Sequence, residues 1–164
     1  MDNISISWQL GILALLLLIA AFFSIAETSL MSLNRYRLKH LVKEGNRGAR
    51  LASVLLSKTD KLLGVILLCN NFANAASATL VTIITVELFG EGEWVLMIGT
   101  LLVTFAILVF GEITPKVIAA AYPEKLGILS SYILYPLLKL LYPAVWFVNL
   151  FVNGLLKLVR VNVN

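Results

Sequence analysis

The sequence predicts an all-α integral membrane protein, with three transmembrane helices and juxtamembrane amphipathic helices on the cytosolic side, in one domain over residues 1–164. Three observations predict it. Hydrophobic residues make up 60% of the chain and charged ones 13%, at a mean hydropathy of +0.93, so a soluble core of 164 residues could not hide the apolar surface. The apolar residues gather into runs near the roughly 20 needed to cross a bilayer's hydrocarbon core. The basic residues flank these runs, so the net charge of +4 and pI near 9.3 mark the cytosolic face of a membrane and argue against nucleic-acid binding.

The first span is expected over about residues 8–33; Leu10–Ala26 is free of charge, and no Lys or Arg precedes it as a basic signal-peptide region would require. Residues 35–58 mix Leu38, Leu41, Val42, Ala49, Ala52 and Leu55 with charges near helical spacing, which predicts one or two short amphipathic helices with Gly45 and Gly48 as breaks. The second span covers about residues 62–86 and the third about 94–118.

From Leu126 to Val159 the chain is apolar again but interrupted by Pro136, Lys139 and Pro143. A bent helix pair along the interface is expected over 123–160, with Tyr132, Tyr135, Tyr142 and Trp146 at headgroup depth; a fourth span is the alternative. The last residues, Val161-Asn162-Val163-Asn164, read as a cut through a longer protein.

Between Asn34 and Lys61 eight basic residues stand against Glu44 and Asp60, whereas the link after the second span holds Glu87, Glu91 and Glu93 and no basic residue. This bias puts the N-terminus outside and the C-terminus in the cytosol. Cys69 is the single cysteine and excludes an intrachain disulfide; His40 stands alone in a basic stretch, far from any Ser or Cys on a span. With no nucleophile–base pair or metal triad legible, an enzyme is not expected.

Each span carries one polar patch. The third ends in Gly111-Glu112-Ile113-Thr114-Pro115-Lys116, a carboxylate at the rim of an apolar run. An ionisable group there marks an ion or substrate path. In an α-helix Pro115 has no N–H for the carbonyl of Gly111 and its ring pushes against it, which frees a backbone oxygen beside the Glu112 carboxylate. Hard cations take such oxygens. On the second span Asn70, Asn74 and Ser77 share one helical face and Asn71 points away, giving either neutral cation ligands or interhelical glue. On the first, Ser24 and Thr28 lie one turn apart beside Glu27, which either helps hold a second cation or pairs with a Lys or Arg at the rim.

The runs FFSIAETSLMSLNR, CNNFANA and FGEITPK, in that order on three spans, resemble the transmembrane domain of the CorC/cyclin M family of magnesium transporters. The resemblance covers about residues 8–125. It implies a homodimer in the plasma (inner) membrane that exports Mg²⁺ against inward Na⁺, with Mg²⁺ held by Ser24, Asn70, Asn74, Gly111 and Glu112 and released by alternating access. It also implies a following cytosolic CBS-pair domain that binds ATP, of which no segment is present, so ATP is a partner only through that absent domain. The competing reading is a membrane scaffold, or a Mg²⁺-sensing regulator, that anchors the cytosolic domain without transporting.

Overall fold

A computed structural model describes residues 3–160. The chain runs through α1 (Asn3–Met31), α2 (Arg35–Lys43), α3 (Arg47–Ser57), α4 (Thr59–Phe89), α5 (Glu93–Ala106), a π-helical segment (Ile107–Ile113), α6 (Thr114–Ala121) and α7 (Pro123–Leu158), with no strand among the described residues.

Local chemistry explains the breaks. Asn34 Oδ1 accepts the N–H groups of Tyr36 and Arg37 and starts α2; Asn46 Oδ1 accepts that of Ala49 and starts α3. Between them Gly45 takes φ +86°, which lets the chain reverse. The expected amphipathic stretch is therefore two helices, burying Leu38 and Leu41 on α2 and Ala49, Ala52, Leu55 and Leu56 on α3. Gly48 is not a break. It lies buried in the first turn of α3, where a Cβ would run into Ile128 and Tyr132 of α7.

Among the described residues four helical rods, not three, are long and apolar enough to cross a membrane: Ile6–Met31, Thr59–Phe89, Glu93–Ala121 and Pro123–Leu158. The second and third rods contain the spans expected there, and the first ends at Met31, two residues short of the expected 8–33. The fourth corrects the expectation of a bent pair over 123–160, because α7 continues through Pro136 and Pro143 as one 36-residue helix. Both prolines are on exposed positions, while Leu134, Leu138 and Val145 are buried. Each proline removes one backbone bond, and the packed face holds the helix together across the gaps.

The contacts of α7 trace its course. Near its start Glu124 meets Arg37 of α2 at 3.4 Å, and Gly127 lies against Leu33 and the Ser29 backbone at the end of α1. Further on, Lys61 Nζ, at the start of α4, donates to the Tyr142 hydroxyl at 3.3 Å, and Val145 packs on Gly64. Glu124 and Tyr142 are about 27 Å apart along the helix at 1.5 Å per residue. Glu124 touches the basic segment itself, and Gly127 and Tyr142 touch the two rod ends that this segment joins, so this half of α7 runs across those ends and not outward beside them.

The main core gathers at the same end. Phe23, Ala26 and Leu30 of α1 and Leu33 just after it meet Leu38, Leu41, Leu55 and Leu56 of α2 and α3, Leu62, Val65 and Ile66 of α4, and Leu134, Leu138 and Val145 of α7. Small residues elsewhere set close approaches of rods, as where Gly99 of α5 faces Thr85 of α4.

Candidate cation site

The site lies where α1 and α4 pack beside the π-helical segment. The segment itself follows from the proline. An α-helical Pro115 would drive its ring into the Gly111 carbonyl, and widening the preceding turn moves that carbonyl aside: Thr114 N–H bonds to Val109, five residues back. Pro115 is then buried in the first turn of α6. Sequence reasoning found the displaced carbonyl and missed the π-helix, although a proline four residues after a glycine was its signal.

The Gly111 oxygen is not left bare. Ser24, 1% exposed on α1, donates its hydroxyl to it at 2.7 Å. This corrects the expectation of an unpartnered carbonyl, because Ser24 replaces the lost N–H. The bond also orients both oxygens, since the hydroxyl has spent its proton and each oxygen keeps lone-pair capacity for a cation.

On α4, Asn74 Nδ2 lies 3.5 Å from Glu112 Oε1, a long contact that orients the amide. The nitrogen faces the carboxylate, so Asn74 Oδ1 is turned away from it. That oxygen and Asn70 Oδ1, one turn earlier, are both buried with no hydrogen-bond partner among the described residues. Only Gln9 Oε1 shares this condition among the described side chains. A buried amide oxygen without a donor costs about 1–3 kcal/mol, and two on one helical stripe beside a carboxylate ask for a positive ligand.

Of the five expected ligands, the structure joins Ser24 to Gly111 and Asn74 to Glu112; Asn70 shares with Asn74 its unmet oxygen. Ser77 drops out, since its buried hydroxyl bonds to the Ala73 carbonyl at 2.8 Å, and Asn71 is exposed, away from the stripe. Glu27 pairs with Lys116 at 3.8 Å, the second of its two readings, and Ser29 donates to Ile25 of its own helix at 2.6 Å. His40 meets Glu44 at 2.8 Å on the surface. Among the described residues no three His, Cys, Asp or Glu side chains converge on one point. The site therefore offers one carboxylate among neutral oxygens, a donor set for hard cations and not for zinc.

Residues 11–164 match the family model described as the cyclin M transmembrane N-terminal domain. The chain is 45% identical over 159 residues to a UPF0053 protein of Haemophilus influenzae, covering 97% of this chain and 37% of that one. It is 43% identical over 143 residues to the UPF0053 inner membrane protein YfjD of Escherichia coli, covering 87% and 33%. A DUF21 domain-containing chloroplastic protein of Arabidopsis thaliana is 34% identical over 148 residues, covering 90% and 22%. The chain thus spans about a third of the length of the two bacterial relatives.

Proposed function

The chain belongs to the cyclin M transmembrane domain family, and from that premise we propose that it is the membrane part of a Na⁺-coupled Mg²⁺ exporter and not an enzyme. One observation carries the reading: near the Glu112 carboxylate, two buried amide oxygens, of Asn70 and Asn74, have no hydrogen-bond partner among the described residues. Mg²⁺ is the substrate. It gives up water reluctantly and needs oxygens held at short distances. Ser24 and Gly111 fix one another, and Glu112 supplies the charge that offsets dehydration. The five residues are divided among three elements, α1, α4 and the π-helical segment, so a shift of α1 or α4 against that segment disperses the ligands and releases the ion, as alternating access requires.

The protein acts in this proposal as a homodimer in the inner membrane, with its N-terminus outside and its C-terminus in the cytosol, where a CBS-pair domain would bring ATP. The basic segment supports that orientation, and the course of α7 across the rod ends supports an interfacial helix that does not cross.

Mg²⁺ flux into and out of proteoliposomes holding the full-length protein, with and without an opposing Na⁺ gradient, tests the reading. Flux that rises with the gradient supports exchange. Mg²⁺ binding without flux under either condition makes the protein a regulator or scaffold instead.

A further inference from the structure

Away from the cation site, a cavity of about 230 Å³ opens between the start of α4 and the middle of α7, lined by Lys58, Lys61, Leu138, Lys139 and Tyr142. Three lysines line this small space, and among the described residues none of them has a carboxylate within ion-pair distance. Aromatic rings hold two of them. Lys61 Nζ lies 4.6 Å from the centre of the Tyr142 ring and Lys139 Nζ 4.4 Å from that of Tyr135. Because Lys61 donates to the Tyr142 oxygen, the Tyr142 O–H is left to donate elsewhere. Leu138 supplies an apolar wall.

We propose that this cavity binds a phosphate group, taken from the headgroup of an anionic phospholipid or from free phosphate. Three compact ammonium donors and a hydroxyl match the oxygens of a phosphate, and the aliphatic lysine stems with Leu138 suit the glycerol that a lipid would bring. The location fits the lipid source. Lys61 immediately precedes the apolar run that starts at Leu62, and Lys58 lies one turn earlier with Asp60 between them, which is headgroup depth for α4, on the side that carries the basic segment. Arg37, by contrast, is engaged by Glu124, and Arg47 and Arg50 are exposed on α3 and do not line the cavity.

The experiment titrates the detergent-solubilised protein with phosphatidylglycerol in one arm and inorganic phosphate in the other, reading bound mass by native mass spectrometry and melting temperature by thermal shift. The expected result is a one-to-one adduct and a raised melting temperature. Changing Lys58→Gln, Lys61→Gln and Lys139→Gln together weakens binding roughly 100-fold, at the strength expected for three lysines near a charged surface. The corresponding triple change to Arg keeps most of the affinity. Arg47→Gln with Arg50→Gln, which removes two charges outside the cavity, leaves the adduct in place. An adduct in the lipid arm alone assigns the headgroup, and saturation by inorganic phosphate assigns the free ion. Equal binding by the wild type and the Gln triple variant in both arms overturns the site. Should that variant fail to fold, Lys139→Gln alone, on an exposed position, serves the same test with a loss of roughly fivefold, and no loss overturns it.

Discussion

The Ser24 hydroxyl donates a 2.7 Å hydrogen bond to the carbonyl of Gly111, across the packing of α1 on the π-helical segment. Ser24 thereby does the work of the N–H that Pro115 lacks. Changing Ser24→Ala leaves that buried carbonyl without a donor, at a cost of about 1–3 kcal/mol. Thermal unfolding in detergent should show the loss, and a Mg²⁺ titration of the same variant should show weaker binding. Unchanged stability would mean that the carbonyl finds another donor.

Glu112 brings the one negative charge to the proposed ligand set. Glu112→Gln keeps its shape and removes that charge, so Mg²⁺ binding and transport should collapse while helical content by circular dichroism is retained. Asn70→Ala and Asn74→Ala each remove one neutral oxygen and should weaken Mg²⁺ less. Both should also relieve a buried unsatisfied group, so metal-free protein should melt no lower, apart from the cost of the small cavity. If Glu112→Gln still transports and the Asn variants misfold, the polar stripe is packing glue.

Pro115→Ala supplies an N–H that competes with Ser24 for the Gly111 carbonyl. The gain in helix stability has an upper bound of about 3 kcal/mol, the alanine–proline difference in a helix interior. Mg²⁺ affinity should fall as the carbonyl turns along the helix. Stability and affinity would move in opposite directions, and raised stability with unchanged affinity would remove Gly111 from the ligand set.

Gly48→Ala places a methyl where Ile128 and Tyr132 already stand. Overpacking of this kind costs about 1–3 kcal/mol, so the melting temperature should drop by several degrees. Mg²⁺ affinity of the folded fraction should be unchanged, because α3 contributes no ligand. Wild-type stability would show that α7 can lift off α3 freely.

Single cysteines in place of Arg47, Glu91 and Leu158, after removal of Cys69, test the membrane arrangement with an impermeant reagent. Arg47 and Leu158 should label from one side and Glu91 from the other. Labelling of Leu158 from the side of Glu91 would make α7 a fourth span.

Much of this was legible in the chain because hydropathy and capping act locally. The apolar runs set α1, α4 and the α5–α6 rod, and Asn34, Gly45 and Asn46 mark the turns around α2 and α3. The ligand candidates were visible as polar residues in apolar surroundings. What escaped was whatever depends on a neighbour far along the sequence. Gly48 looked like a breaker because nothing local shows that Ile128 and Tyr132 need its missing side chain. Pro136 and Pro143 looked like interruptions because the packing of Leu134, Leu138 and Val145 is a tertiary fact. The orientation of the Asn74 amide depends on Glu112, 38 residues away.

The π-helical segment has one more consequence. A π turn holds a fraction of a residue more than an α turn, but over the whole segment the surplus amounts to about one residue, so α5 and α6 are two lengths of a single rod that are out of phase by about 100° at 3.6 residues per turn. A stripe of side chains followed down α5 does not continue onto the same face of α6. A substitution that straightens the segment must therefore swing α6 around its axis and pull Lys116 away from Glu27.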